Sequence, residues 1–175
     1  HHHHGGRSGG VGVVGAPQVA LVGNPNSGKS SLFNRLTGMR SKTGNYPGVT
    51  VSRFVGGCAI DGCDFTVEDL PGSYSLEPIS PDEEIVADIL EGRVEGVGQP
   101  DVVLAVVDAT TLQRGLVLVS QLLQLDRPVC LVITFTDELT ARQVALDVAA
   151  LGRAVGVPAV PVVANRTGKL TELRA

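Results

Sequence analysis

The segment Gly23–Ser30, GNPNSGKS, constrains this chain more than any other stretch. It matches G-x-x-x-x-G-K-[ST], a pattern that works in one setting. A buried strand must precede it and a helix must follow, so that loop N–H groups and the helix N-terminus converge on a polyphosphate. Both flanks comply. Gln18–Gly23 (QVALVG) reads as a buried strand, and Lys29–Gly38 (KSSLFNRLTG) as a helix closed by glycine. Gly23, Asn24, Pro25, Asn26, Ser27 and Gly28 form the cradle, with Gly28 allowing close backbone approach. Lys29 is placed to reach the β- and γ-phosphates and Ser30 to coordinate Mg²⁺, and Ser31 completes the phosphate-facing set. The motif alone does not choose ATP or GTP, or a kinase or a hydrolase.

The rest of the chain repeats the β–α alternation. VSRFVGGCAI and CDFTVEDL straddle Asp61-Gly62, a strong hairpin signal. In SPDEEIVADILEG, Ser80 caps a helix, Pro81 takes its first position and Glu83 completes a capping box. Asp101–Ala109, Pro128–Thr134 and Pro158–Ala164 read as further strands, with helical spacing over Gln113–Leu125 and around Asp147–Val155. Hydrophobic residues make up 43% of the 175 residues and aromatic residues 3%, so the core must be built from Val, Leu, Ile and Ala. That composition suits buried parallel strands. The expected fold is α/β: a six-stranded, mostly parallel sheet with one antiparallel hairpin and helices on both faces. Residues 1–10 read as a purification tag and linker, and 11–175 as a single domain.

Several classes are set aside. A formal net charge of −4 lacks the basic footprint of a nucleic-acid binder. No apolar run approaches the roughly 18 residues needed to span a bilayer. Cys58, Cys63 and Cys130 make no metal-ligand pattern. Cys58 and Cys63 lie diagonally across the hairpin, about 7–8 Å apart, which is long for a disulfide, so reduced thiols are expected.

Two further segments carry chemistry. Asp69–Gly72 (DLPG) ends the second hairpin strand, where Asp69 can hold a Mg²⁺-bound water and the Gly72 N–H can bond a γ-phosphate. Thr43–Val51 (TGNYPGVTV) reads as a mobile loop. It presents Gly48, Val49 and Thr50 to the phosphates, with the Thr50 hydroxyl on Mg²⁺ and its N–H on the γ-phosphate. Lys29, Asn26, Thr50 and Gly72 are the candidate catalytic set.

Together GNPNSGKSSLFNRLTG, TGNYPGVTV, DLPGSYSL, SPDEEIVADIL and DVVLAVVDATTLQRGL resemble the N-terminal G domain of the ferrous iron transport protein B (FeoB) family, over Gln18 to about Leu173. The resemblance implies a Ras-like P-loop GTPase fold, GTP and GDP as ligands, Mg²⁺ as cofactor and slow hydrolysis. It also implies a switch role in bacterial Fe²⁺ uptake, on the cytoplasmic face of the inner membrane, tethered to the transporter domain of the same full-length protein. Helical and membrane domains typical of the family are absent from this sequence. In resembling GTPases an asparagine at Asn26 helps bind K⁺ as an activator, and the carbonyls of Gly44 and Tyr46 complete that site. Ras-type enzymes place a glutamine directly after Asp-x-x-Gly to orient water. Here it is Ser73, too short for that task, so slow basal turnover is expected.

The base-reading element departs from Asn-Lys-x-Asp. Here it reads Thr134, Phe135, Thr136, Asp137. The Asp137 carboxylate can accept from guanine N1–H and the 2-amino group, which adenine lacks. Thr134 loses the usual amide, but its hydroxyl still offers one hydrogen bond. Phe135 can stack on the base or pack in the core. Ala164 and Asn165 stand where Ser-Ala is typical, and the Asn165 N–H can still reach guanine O6. Two other functions remain open: an RNA-associated GTPase of ribosome assembly or tRNA modification, and a nucleotide-dependent binding module with negligible hydrolysis.

Overall fold

The structure is a computed structural model that describes residues 15–77 and 79–162. Its strands are β1 (Gln18–Gly23), β2 (Lys42–Asn45), β3 (Ser52–Ile60), β4 (Cys63–Asp69), β5 (Val102–Asp108), β6 (Val129–Thr134) and β7 (Ala159–Val162). Its α-helices are α1 (Lys29–Thr37), α2 (Pro81–Leu90), α3 (Leu112–Leu122), α4 (Thr136–Ala141) and α5 (Val148–Val155). One sheet runs in the order β2-β3-β4-β1-β5-β6-β7. β1 pairs in parallel with β4 and β5, and β5–β6 and β6–β7 are also parallel. β3 is antiparallel to both β2 and β4.

The sheet has seven strands, not the six expected from the sequence. The extra strand is β2, inside the segment read as a loop. Its four residues, Lys-Thr-Gly-Asn, are all exposed. They carry no apolar alternation, and Gly and Asn are poor strand formers. β2 exists because its backbone continues the ladder of β3, Lys42 opposite Val55 through Asn45 opposite Ser52.

Of the local signals elsewhere, the hairpin turn and the Ser80 cap form as expected, whereas the Glu83 side chain, expected to complete the capping box, goes to Ser73. Ile60 faces Cys63 across a two-residue turn in which Asp61 and Gly62 both have positive φ, 53° and 79°. That is the backbone a tight right-twisting hairpin requires. Ser80 accepts from the Glu83 N–H at 3.3 Å to start α2, while the Glu83 carboxylate accepts from Ser73.

The sheet buries both faces. On one, Ala20, Val22, Val103, Ala105, Val107, Leu131 and Ile133 meet the apolar sides of α2 and α3, with Leu151 and Val155 of α5 packed against them. On the other, Leu21, Val67, Val106 and Val132 meet Leu32, Phe33 and Leu36 of α1. Helices thus lie on both faces, as expected. Among the described residues no helix is long and apolar enough to cross a membrane.

The chain leaves β1 toward β3 and β4 on one side, and leaves β5 toward β6 on the other. The carboxyl ends of β1 and β5 therefore form a topological switch point, where open α/β sheets hold ligands.

All three cysteines are free. They line one apolar pocket with Val19, Leu36, Ile60 and Leu104, away from the strand carboxyl ends. Burial pushes the thiols of Cys58 and Cys130 above their ordinary value, whereas Cys63 is exposed. A raised thiol pKa means less thiolate at pH 8 and slower alkylation. Mass-spectrometric mapping after brief iodoacetamide treatment of the folded protein is therefore expected to find Cys63 modified first. Prior modification of Cys58 would contradict the packing.

Candidate functional site

The loop from Gly23 to Gly28 leaves β1 between the ends of β4 and β5. Ser27 N–H donates to the Asn24 carbonyl at 3.2 Å, and Leu32 N–H donates to the Gly28 carbonyl at 3.0 Å to open α1. Gly28 has φ 87°, a left-handed conformation that turns the chain into the helix. The end of β4 closes on the same loop. Leu70 N–H donates to the Leu21 carbonyl at 3.2 Å and Ser73 N–H to the Gly23 carbonyl at 2.9 Å. A Cβ on Gly72 would lie 2.9–3.1 Å from atoms of Pro25, so Asp69–Gly72 packs directly against the cradle.

Lys29, Ser30 and Asp69 converge here. The Lys29 Nζ pairs with Asp69 Oδ1, and both side chains are buried. Ser30 Oγ donates to Asp69 Oδ2 at 3.4 Å. In the same loop the Ser27 hydroxyl and Asn24 Oδ1 are buried and find no hydrogen-bond partner among the described residues. An orphaned hydroxyl in a loop of backbone donors, next to a buried ammonium, suits an anionic ligand that supplies acceptors. Ser30 and Asp69 offer the hard oxygen donors that Mg²⁺ takes. The other residues expected at the phosphates, Pro25 and Asn26 of the loop and Ser31 of α1, are exposed.

Thr50 stands apart. Pro47, Gly48, Val49 and Thr50 are exposed in the turn between Tyr46 and Val51, two buried anchors. Gly44 lies in β2 opposite Arg53, and the Tyr46 carbonyl accepts from Val49 N–H at 3.3 Å.

The Ser73 side chain points away from the site. It is fully buried, donates to the Ser75 carbonyl at 2.7 Å and faces Glu83 Oε2 at 3.4 Å. The loop beyond it is held by α3. Gln121 accepts through Oε1 from the Ser75 hydroxyl and the Leu76 N–H, and its amide donates back to Ser75 Oγ. Nothing in the local sequence marks Gln121 for this role, because the contact spans 46 residues.

At the end of β6, the Thr134 hydroxyl donates to the Ser27 carbonyl at 2.6 Å, with the Val107 carbonyl at 3.3 Å. The one bond left to this position thus ties the β6 end to the P-loop. Phe135 follows with φ 58° and caps α4 without a side-chain bond. Its ring atoms lie 3.4–3.5 Å from the point where a Gly28 Cβ would sit, so the ring lies against the P-loop. A left-handed bulky residue costs about 1–2 kcal/mol. Packing of the ring and the first turn of α4, where Glu138 N–H donates to the Phe135 carbonyl at 3.1 Å, hold it there. Asp137 is exposed in that turn. Ala164 and Asn165 lie outside the described residues.

Sequence reading also passed over Glu68. It is a buried carboxylate one residue before Asp69, bonded to Tyr46 and Arg53. A signal was present: along β4 and the residue that follows it, Thr66, Glu68 and Leu70 share a face by the two-residue period, so Glu68 is an acid at an inward position.

Comparison with known proteins gives a consistent picture. The family model described as ferrous iron transport protein B matches residues 17–175. The Fe(2+) transporter FeoB of Salmonella typhimurium is 43% identical over 152 residues, covering 85% of this chain and 19% of that protein. The Leptospira biflexa transporter is 38% identical over 156 residues, 89% and 22% of the two chains. The chain thus spans about a fifth of the length of these relatives. Among solved structures, the G domain of the T. maritima FeoB iron transporter superposes with a TM-score of 0.80 at 36% identity, covering 91% of this chain and 94% of that one. The GDP form of its cytosolic domain gives 0.85 at 35% identity, covering 93% and 62%. The GMPPNP form gives 0.82 at 34%, covering 90% and 61%.

Replacing Thr134 by valine keeps the side-chain volume but leaves the Ser27 carbonyl without its donor. Losing one buried hydrogen bond costs about 1 kcal/mol. Thr134→Val is therefore expected to lower the melting temperature by about 2–4 °C in scanning calorimetry. An unchanged melting temperature would show that this bond does not hold the loop.

Proposed function

This chain belongs to the ferrous iron transport protein B family, and on that premise we propose that it is the guanine-nucleotide-binding domain, residues 11–175, of a bacterial Fe²⁺ transporter. In this reading it hydrolyses GTP slowly and uses the nucleotide cycle to control the membrane domain from the cytoplasmic face. One observation carries the reading. The Asp69 carboxylate at the end of β4 meets the P-loop residues Lys29 and Ser30 at the switch point of the sheet.

Each residue then has a task. The N–H groups of the Gly23–Ser31 segment and the α1 N-terminus receive the phosphates, and Lys29 turns from Asp69 to the β- and γ-phosphates. Ser30 and Thr50 would hold Mg²⁺, with Asp69 on a water bound to it, and the ion would supply positive charge against the phosphate oxygens. The N–H groups of Gly72 and of the Gly48–Thr50 segment receive the γ-phosphate. A water then adds to the γ-phosphorus as the bond to the β–γ bridging oxygen breaks. GDP leaves with that oxygen, and the water's proton passes to the phosphate product. Ser73 is committed to Ser75 and Glu83, so no side chain directly after Asp-x-x-Gly orients the water. That supports a slow basal rate. Asn26, exposed at the loop's rim with φ 63°, is proposed to hold K⁺ with the carbonyls of Gly44 and Tyr46.

Guanine selectivity is assigned to Asp137, with Phe135 covering the base and Ala164 and Asn165 contributing backbone contacts. The deciding experiment is calorimetric titration with GDP, a non-hydrolysable GTP analogue and the matching ATP analogue. Guanine preference is expected, and Asp137→Ala is expected to reduce it on the order of a hundredfold because two bonds to a charged acceptor are lost. Preference for the adenine analogue overturns the reading. Single-turnover hydrolysis separates a slow enzyme from a pure binding module.

The K⁺ assignment has its own measurement. Hydrolysis is expected to be faster in KCl than in NaCl at equal ionic strength, with the stimulation lost in Asn26→Ala. Equal rates in the two salts would remove K⁺ from the mechanism.

A further inference from the structure

From Ser41 to Thr50 every residue is exposed except Tyr46, which is 1% exposed. Its phenol donates to Glu68 Oε2 at 2.5 Å. The other carboxylate oxygen of Glu68 accepts from Arg53 Nη2 at 3.1 Å, and the Arg53 guanidinium carbon lies 5.7 Å from the centroid of the Tyr46 ring. The backbone closes the same turn, Tyr46 N–H donating to the Val51 carbonyl at 3.0 Å. Burial, reinforced by the Glu68 carboxylate, pushes the phenol far above its ordinary pKa, so Tyr46 keeps its proton and stays a donor.

The position of Glu68 gives this cluster its significance. Glu68 pairs with Ala20 of β1 and Val55 of β3 in the middle of the ladder, so its backbone is fixed. Asp69, the next residue, holds Lys29 and Ser30. Consecutive residues of one strand therefore face opposite sides of the sheet and hold two separate parts of the site: the P-loop through Asp69 and the Thr50 turn through Glu68. A carboxylate at an inward strand position is costly unless its partners repay desolvation. Here both oxygens are engaged.

We propose that Glu68 is a positioning residue that latches Tyr46 and so presets the exposed Pro47–Thr50 turn for a nucleotide carrying a γ-phosphate. The inference rests on the GTPase reading above. With Tyr46 and Val51 pinned, only the short turn between them must be ordered when Thr50 engages the γ-phosphate. With the latch broken, a longer stretch must be ordered at that moment, and the entropic cost falls on the triphosphate. A diphosphate, held by the P-loop, does not bear it.

The test is the ratio of affinities for a mant-labelled non-hydrolysable GTP analogue and mant-GDP, both with Mg²⁺, in the full 175-residue chain. Tyr46→Phe keeps the ring and removes only the hydroxyl. It is expected to lower the ratio about tenfold, the scale of a hydrogen bond to a charged group, while GDP affinity changes less than twofold. Glu68→Ala is expected to do the same. The double variant is expected to lose no more than either single one, because both remove one interaction. Glu68→Gln, which keeps an acceptor for the phenol, is expected to recover part of the ratio. Cys58→Ala, in the opposite face of the core, serves as a stability control: it lowers the melting temperature and leaves the ratio unchanged. A ratio that stays constant or rises in Tyr46→Phe, with wild-type guanine binding intact, overturns the latch alone. A wild-type chain that binds neither guanine nucleotide overturns both the latch and the GTPase reading.

Discussion

The buried pair between Lys29 and Asp69 is the interaction on which the site depends. An ammonium taken out of water costs several kcal/mol unless a counter-charge meets it. The fold meets that requirement by running β4 in parallel beside β1, Leu21 opposite Asp69, so the carboxylate arrives at the first turn of α1. The hairpin between β3 and β4, the hydrogen bond from Ser73 N–H to the Gly23 carbonyl, and the close packing of Gly72 on Pro25 all keep β4 in that register. A polyphosphate offers Lys29 an alternative negative partner and leaves Asp69 for a metal ion. One charge can thus serve as a structural tie before binding and as a ligand contact afterwards.

The sequence was legible wherever a local requirement left a local mark. The P-loop needs glycine at a left-handed position and carries Gly28. The hairpin needs two residues of positive φ and carries Asp61-Gly62. The start of α2 needs a cap and carries Ser80. β2 was missed because nothing in Lys-Thr-Gly-Asn favours a strand, its existence being a property of β3 as neighbour. α4 was missed because it is short and is capped by Phe135, whose left-handed backbone no pattern of hydrophobicity announces. The role of Thr134 was half legible. Its reduced hydrogen-bonding capacity followed from residue type, but the direction of its single bond, toward Ser27, depended on a partner 107 residues away.

The loops around the phosphate site are secured from different directions. The turn carrying Thr50 hangs from Tyr46 and Val51 on the β3–β4 side. The loop after Gly72 is gripped by Gln121 of α3 and by Glu83 of α2, helices that pack into the same core cluster as Tyr46 and Val51. The β6 end leans on the P-loop through Thr134 and Phe135. In the proposed function a nucleotide touching all of them would join loops held by different elements, the arrangement a two-state switch needs.

The edge strand β2 gives the Thr50 turn an unusual hinge. The turn continues directly into four ladder pairs whose β2 members are all solvent-exposed. Motion of the turn beyond what Tyr46 permits must therefore proceed as unzipping, one rung after another from Asn45 toward Lys42. Lengthening the free loop is cheap, about 0.6 kcal/mol for each doubling. Resistance then comes mainly from the rungs themselves, each worth roughly 1 kcal/mol in water. Rungs of similar worth resist by a similar increment at each step, and their number, four, bounds how far the turn can travel before the sheet loses its seventh strand.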